Sequence, residues 1–198
     1  DPEMSRGLGD VYKRQLQDLD YENGYSLYVG IPFCPSICLY CSFGSHPLER
    51  WTKRVEEYLD TLCKELTFIR EQMGARKLTT VYIGGGTPTT LEPEQLRRLL
   101  SHIQETFDFT WVKEYTVEAG RPDSITREKL QVMKEFPVTR ISVNPQTMNQ
   151  KTLDVIGRKH TVEDTVNIFH MARELEFDNI NICLLYTSPS PRDISGSR

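Results

Sequence analysis

The chain has 198 residues, 26% of them charged, and a formal net charge of −4. This length is typical of one domain with a buried core, and the slight negative charge offers no basic surface to nucleic acid, so we expect no nucleic-acid partner. No apolar run approaches the roughly 20 residues that a membrane helix needs, and no charged-then-apolar leader opens the chain, so we expect a cytoplasmic protein that contacts no membrane.

The two ends of the chain are expected to be foreign to the natural protein. Residues 5–15 and residues 183–192 can be encoded by one DNA element, read forward for the first segment and as its reverse complement for the second. The element also resembles a transposase adaptor of sequencing libraries. We therefore predict a disordered adaptor-like N-terminus at residues 1–15, a natural domain at residues 16–182 that continued further in its parent, and an adaptor-like tail at residues 183–198. A disordered Ser/Pro/Arg linker is the other interpretation of the tail.

Between these ends, short β-rich runs alternate with amphipathic helical stretches. In chain order they are a strand at residues 25–31, a helix at 51–73, a strand at 79–83, a helix at 93–107, a strand at 114–118, a helix at 126–136 capped by Thr126, a strand at 139–143, a helix at 149–156, a helix at 161–177 that opens on a Thr161–Asp164 capping box, and a strand that begins at 179. This alternation predicts an α/β fold with a parallel sheet. Ligands of such sheets lie beyond the carboxyl ends of the strands.

Three cysteines follow the first predicted strand: Cys34, Cys38 and Cys41. Such close spacing is typical of metal binding in a reducing compartment rather than of disulfides. Thiolates are soft ligands for iron, and three of them on one loop suit a cubane iron–sulfur cluster with one iron left open. The alternative is a structural zinc site with His46 as the fourth ligand, because structural zinc needs a closed tetrahedral shell.

Further chemical groups follow the next three strands. The second strand leads into Gly84, Gly85 and Gly86, which would let a ligand approach the backbone; a tight turn is the alternative. No Gly-Lys-Ser/Thr follows, so this is not a phosphate loop. Glu118 ends the third strand, with a salt bridge to a neighbouring arginine as the alternative role. Gln146 and Arg158 follow the fourth strand, and each taken singly is typical of a surface residue.

Together these motifs resemble radical S-adenosylmethionine (radical SAM) proteins. The matching elements are C-x₃-C-x-Tyr-C, GGGTPT, Glu118, and Gln146 with Arg158. IPFCPSICLYCSF, EAGRPDSIT and RISVNPQTMNQKTLDVIGRKHT most resemble the coproporphyrinogen dehydrogenase HemZ branch of the oxygen-independent coproporphyrinogen III oxidase group. The resemblance covers nearly all of residues 28–182 and implies the first four to five units of a (β/α)6 TIM-like barrel.

The resemblance also implies a role for each matching residue. Cys34, Cys38 and Cys41 would ligate a [4Fe–4S] cluster whose fourth iron chelates S-adenosylmethionine. The residues implied to bind that cosubstrate are Tyr40 against the adenine, Gly84, Gly85, Gly86 and Thr87 on the loop after the second strand, and Glu118, Gln146 and Arg158 on the amino-acid and ribose parts.

The implied activity of the parent is the oxidative decarboxylation of propionates to vinyl groups in haem biosynthesis. It would proceed through a 5′-deoxyadenosyl radical, with a porphyrinogen-type substrate and a reductant protein such as a flavodoxin or ferredoxin. A haem chaperone that binds haem on the same scaffold is the alternative. The sequence departs from the family pattern at Phe43, where some members have a further cysteine, and at Cys183, where an acidic residue is expected. Because the implied barrel is incomplete and the sixth strand and the substrate-binding C-terminal region are missing, we expect the 198-residue chain to be inactive by itself.

Overall fold

The computed structural model describes residues 22–41, residue 43 and residues 46–185. Five parallel strands form its main sheet, and in chain order they are β1 (Gly24–Ile31), β2 (Lys77–Gly85), β3 (Glu114–Gly120), β4 (Arg140–Gln146) and β5 (Ile180–Leu184). Each overlaps a strand predicted from the sequence, and β5 extends through Leu184 into the segment predicted to be adaptor-derived. The predicted N-terminal adaptor segment and residues 186–198 of the tail lie outside the described residues.

The order of these strands across the sheet is their order in the chain, and every neighbouring pair is parallel. A doubly wound sheet would instead reverse its direction of growth at a switch point. Continuous growth in one direction, with a helical connection between strands, is the pattern of a β/α barrel. The structure therefore confirms the predicted α/β fold as part of such a barrel.

Helices of more than one turn lie between the strands at α1 (Val55–Met73), α2 (Pro93–Thr106), α3 (Arg127–Lys134), α4 (Gln150–Val155) and α5 (Val162–Glu174). Shorter elements are the helix Leu48–Trp51, the 3₁₀ turns Thr52–Arg54, Pro88–Thr90, Phe109–Trp111 and Pro122–Ser124, and the paired strands Phe33–Cys34 and His46–Pro47. The predicted caps are present: the Thr126 hydroxyl accepts the Lys129 amide, and Thr161 and Asp164 form a capping box.

The predicted single helix at residues 51–73 is wrong at its beginning. The chain instead forms the short helix Leu48–Trp51 and a 3₁₀ turn at Thr52–Arg54 before α1 begins at Val55. The Thr52 hydroxyl donates to the Leu48 carbonyl oxygen at 2.7 Å. Thr61 and Thr67 make the same bond inside α1 without interrupting it, so this bond does not by itself explain the break.

The two faces of the sheet differ in what covers them. On β1, Leu27, Val29 and Ile31 are buried in the core beneath the helices, whereas Tyr28 is 62% exposed. Side chains alternate between the faces of a strand, so Tyr28 belongs to the opposite face, which is the inner face of the barrel. The ring of Tyr82 stacks against Tyr28 on that face, at a centroid distance of 5.9 Å. The inner face is therefore lined by side chains that can contact a ligand.

Within the described residues, no helix is both long enough and apolar enough to cross a lipid bilayer.

Candidate functional site

A cavity of about 220 Å³ opens at the carboxyl ends of the strands. Its wall contains every predicted site residue except Gly84: Cys34, Cys38, Tyr40, Cys41, Gly85, Gly86, Thr87, Glu118, Gln146 and Arg158. The rest of the wall consists of Phe43, Gly120, Arg121, Asn144 and Cys183. Parallel strands bring their carboxyl ends to one edge of the sheet, which explains how residues so far apart in the chain come to share one cavity.

Two larger cavities, of about 340 and 360 Å³, lie towards β1 and α1. Neither contains a cysteine. The second shares Phe43, Gly85 and Gly86 with the cysteine-lined cavity and reaches Tyr28 on the inner face. The cysteine-lined cavity thus adjoins a space large enough for a second, organic ligand.

The cysteine loop is partly enclosed by its neighbours. Cys34 and Cys38 are each 8% exposed, and Cys41 is half-buried. The Cys41 amide donates to the Cys38 carbonyl oxygen at 3.1 Å, and the Leu39 amide donates to the Ile156 carbonyl oxygen at 3.1 Å. These bonds fold the loop into a turn and attach it to the segment that follows α4.

The three thiols share the cavity, but they are not arranged around a single metal-ion position. Across the described ranges, no three Cys, His, Asp or Glu side chains form a group that could hold a metal ion as they stand. His46 lines a different cavity and packs edge-on against Trp51, with ring centroids 4.7 Å apart. It is therefore not placed as a fourth ligand. The donor chemistry fits an iron–sulfur cluster, because three soft thiolates lie on one loop beside an open cavity.

The glycine loop lies directly against the end of β1. The Gly86 amide donates to the Ile31 carbonyl oxygen at 2.7 Å, and the Thr87 amide donates to the Phe33 carbonyl oxygen at 2.8 Å. A Cβ atom at Gly86 would come within 2.7 Å of the Phe33 oxygen and 3.0 Å of the Cys34 sulfur. Gly85 has a φ of +105°, which side chains rarely allow. The glycines therefore permit a close approach to the cysteine loop as well as a turn.

Glu118 lies at the end of β3 with one hydrogen-bond donor beside it, the Tyr82 hydroxyl, at 2.5 Å. No arginine or lysine pairs with it in the part of the chain that the structure describes, so the salt bridge considered from the sequence is absent. Burial raises the pKa of Glu118, and the hydrogen bond from Tyr82 opposes that rise. A Cβ atom at Gly84 would lie 2.6 Å from the Tyr82 ring and 3.1 Å from the Glu118 carboxyl carbon. Glycine therefore leaves room at this carboxylate for a cation.

We expect Glu118→Gln to stabilise the metal-free chain at neutral pH but not in acid. A carboxyl group whose pKa is raised by folding contributes stability that is complete below its unfolded value, near 4.5, and is lost as the pH rises through the folded value. Urea unfolding measures the effect at one pH below the unfolded pKa and at neutral pH. Glu105→Gln, at an exposed position of α2, is the control. The prediction is contradicted if the difference in unfolding free energy between Glu118→Gln and the original chain does not grow as the pH rises.

Arg158 is held between the cysteine loop and the end of β4. It is 7% exposed, and its guanidinium donates to the Tyr40 hydroxyl at 2.7 Å and to the Asn144 carbonyl oxygen at 3.1 Å. Its Nε atom is buried without a hydrogen-bond partner among the described residues. A buried N–H without a partner is costly, so this atom is a candidate donor to an anionic ligand.

Gln146 has a backbone conformation that non-glycine residues seldom adopt, with a φ of +73°. Its carbonyl oxygen accepts the Leu185 amide at 2.6 Å, and the register of β4 with β5 shifts just before it. Backbone strain of this kind clusters at ligand sites. The strain ends the regular strand at the point where the Gln146 side chain joins the cavity wall.

Three polar side chains at the site were not singled out from the sequence: Tyr82, Arg121 and Asn144. Arg121 is 3% exposed, and it contacts the cysteine loop through Ser36 and Cys38. Its position directly after β3 was the available signal, since Glu118 was identified in the same way. Tyr82 lies two positions before Gly84, but its contact with Glu118 joins residues on two strands and has no local pattern.

The chain is similar in sequence and in fold to several known proteins. The sequence model of the Radical SAM superfamily matches residues 28–190. An oxygen-independent coproporphyrinogen-III oxidase-like protein, HemZ of Bacillus subtilis, is 42% identical over 83% of this chain and 33% of its own length. The heme chaperone HemW of Bacillus subtilis is 39% identical over 83% of this chain and 43% of its own length.

The solved structure of coproporphyrinogen III oxidase (HemN) from Escherichia coli, described as a radical SAM enzyme, superposes with a TM-score of 0.76. It is 30% identical and covers 88% of this chain and 40% of that one. The chain thus spans about one third to two fifths of the length of these relatives.

Proposed function

The chain belongs to the radical SAM superfamily, and from this we propose that Cys34, Cys38 and Cys41 hold a [4Fe–4S] cluster that works with S-adenosylmethionine. The observation that carries the proposal is that these cysteines share one cavity with a glycine loop, a half-buried carboxylate and a buried guanidinium. A zinc site would account for the thiols but not for these other groups.

A bound cluster would supply one electron to the sulfonium group of S-adenosylmethionine; cleavage of a carbon–sulfur bond would then release methionine and a 5′-deoxyadenosyl radical able to abstract hydrogen from a substrate. The residues of the chain provide binding, orientation and exclusion of water. The glycine loop at Gly84, Gly85, Gly86 and Thr87 offers backbone groups to the cosubstrate, and Tyr40 offers an aromatic ring to its adenine. Gln146 offers a side-chain amide to the ribose.

The charges in the cavity complement a zwitterionic amino acid. Glu118 is half-buried without a cationic partner among the described residues, so a bound ammonium group would relieve the cost of its charge. Arg158 is already oriented by Tyr40 and Asn144. Its remaining donor suits a carboxylate, which arginine recognises more strongly than a neutral group.

For the parent protein, we propose oxidative decarboxylation of a porphyrinogen, with propionates converted to vinyl groups and a flavodoxin- or ferredoxin-type protein as the reductant. This finer proposal is supported by the 42% identity to HemZ and by the 30% identity to the Escherichia coli oxidase. The cavity that adjoins Gly85 and Gly86 and reaches Tyr28 offers space for part of a large, flat substrate.

A haem-binding role is the second candidate. It is favoured by 39% identity to the Bacillus subtilis heme chaperone, nearly equal to the identity to HemZ. Phe43, which occupies the position of a further cysteine in some oxidases, is compatible with it. Both candidates share the cysteine-lined cavity and differ in what happens to the tetrapyrrole.

The test begins with anaerobic reconstitution of the chain with iron and sulfide. We expect about four iron and four sulfide atoms per chain; zinc without acid-labile sulfide would refute the proposal. A form of the protein extended to the length of its relatives is then supplied with S-adenosylmethionine, dithionite and coproporphyrinogen III. Release of carbon dioxide with formation of vinyl groups supports the oxidase, and tight haem binding without decarboxylation supports the chaperone.

We expect Arg158→Gln to weaken the binding of S-adenosylmethionine by about 10- to 100-fold without reducing the iron content. The reason is the loss of a charge-assisted hydrogen bond inside a buried site, worth about 1.5–3 kcal/mol. Equilibrium dialysis of the reconstituted chain measures the affinity. Arg127→Gln is the control, because its side chain is 48% exposed and pairs with Glu174 on α5. If the two variants bind S-adenosylmethionine equally tightly, Arg158 does not contact this cosubstrate.

A further inference from the structure

Arg121 connects the end of β3 to the cysteine loop through a buried guanidinium. Its Nε and Nη2 atoms donate to the two carboxylate oxygens of Asp123, at 2.9 and 2.7 Å. Its Nη1 atom donates to the Ser36 hydroxyl at 2.7 Å, to the Ser36 carbonyl oxygen at 3.0 Å and to the Cys38 sulfur at 3.8 Å. One side chain thus touches two residues of the loop.

Two edges of the Arg121 guanidinium have different partners: one edge pairs with Asp123, and the other contacts the cysteine loop. The bidentate pair with Asp123 fixes the plane of the group, as Arg–carboxylate pairs generally do. The free edge then faces Ser36 and Cys38 across 85 and 83 positions of sequence. A buried ion pair is weak evidence for stability, because apolar residues of the same volume often serve as well. The contact with the sulfur gives this pair a role that apolar residues could not fill.

We propose that Arg121 is a positioning residue for the Cys38 ligand, and that its N–H···S contact makes the cluster easier to reduce. The inference rests on the proposed function, since it requires that Cys38 ligates a [4Fe–4S] cluster. Hydrogen bonds and positive charge near ligating sulfur stabilise the more negative, reduced state of a cluster. In the redox step concerned, one electron from the reductant converts the cluster from its 2+ to its 1+ state.

The test compares the original chain, Arg121→Gln, Arg121→Lys and Arg140→Gln. Arg140 is the matched control, because it pairs with Glu114 at the amino end of β4, away from the cavity. Each chain is reconstituted and titrated with dithionite while the reduced cluster is followed by electron paramagnetic resonance. We expect a more negative midpoint potential for Arg121→Gln, a smaller shift for Arg121→Lys, which keeps the charge, and no shift for Arg140→Gln. The rate of iron loss to a chelator should rise by about tenfold or more in Arg121→Gln.

A second readout uses the metal-free chains. Alkylation of Cys38 by iodoacetamide is measured above the ordinary thiol pKa, so that loss of the guanidinium does not reduce the thiolate fraction. It should be faster in Arg121→Gln, because the loop is no longer held by Arg121, whereas alkylation of Cys63 on α1 should not change; mass spectrometry locates the label. If the original chain takes up no iron and sulfide, the proposed function fails, and this readout still decides whether Arg121 positions the loop. If Arg121→Gln keeps the original midpoint potential, Arg121 only holds the loop in place and the inference is overturned. Should Arg121→Gln fail to fold, the shift in Arg121→Lys decides the matter.

Discussion

Serine at Cys34, Cys38 or Cys41 abolishes assembly of the iron–sulfur cluster, whereas serine at Cys63 leaves it intact. We expect this result because all three cysteines lie on one loop beside the cavity, and each supplies one thiolate to a cluster that needs three. A hydroxyl group is a poor replacement, since iron in such clusters prefers soft sulfur ligands. The measurements are iron content, acid-labile sulfide and visible absorption after anaerobic reconstitution.

The control separates loss of a ligand from loss of a thiol. Cys63 lies on α1, outside the cavity, and is half-buried, as Cys41 is. Cys183→Ser is a second control, because Cys183 is exposed and lies on the cavity wall. We expect normal iron and sulfide in both controls. Full cluster content in the Cys38→Ser chain would show that Cys38 is not a ligand of the cluster.

Gly86→Ala is expected to lower the free energy of unfolding of the metal-free chain by about 1–3 kcal/mol, the usual cost of forcing extra atoms into a packed site. The new Cβ atom would meet the Phe33 and Ile31 carbonyl oxygens at 2.7 and 2.9 Å and the Cys34 sulfur at 3.0 Å. Two of these neighbours are backbone atoms, which cannot move aside cheaply. We therefore also expect Cys34 to be displaced and cluster loading to fall.

Gly30→Ala is the matched control for this substitution. Gly30 lies on β1, and a Cβ atom there would meet the Tyr28 ring at 3.5 Å, an ordinary contact. Urea unfolding and iron content are measured for both variants. If Gly86→Ala is as stable as Gly30→Ala and loads a normal cluster, the glycine loop does not need to lie this close to Cys34.

The strands and most helix limits could be predicted because their signals are local. On β1, buried Leu27, Val29 and Ile31 alternate with exposed Tyr28 and half-buried Gly30, and the capping residues Thr126 and Thr161 lie next to the helices that they begin. The beginning of α1 could not be predicted, because the helical periodicity runs through residues 51–73 although the chain forms a 3₁₀ turn at Thr52–Arg54. Periodicity reports which face of a segment is buried, and it does not distinguish a 3₁₀ turn from the first turn of an α-helix.

The cavity wall was predictable for a different reason. In a parallel sheet the residues after each strand share one edge, so Cys34, Glu118 and Gln146 could be assigned to one place from their positions alone. The same rule placed Arg121 there, but it gave no reason to choose it over its neighbours. Its partners, Ser36 and Cys38, are more than 80 positions away in sequence.

The sequence by itself therefore determined the order of strands and helices, the resemblance to radical SAM proteins, and the end of the sheet at which the chemistry lies. These features follow from short-range patterns and from the parallel topology. Only the tertiary structure decided which side chains meet: Tyr82 with Glu118, Arg158 with Tyr40, and Arg121 with Cys38. Each pair joins different strands or loops, and such contacts depend on packing distances of a few ångströms that no local pattern encodes.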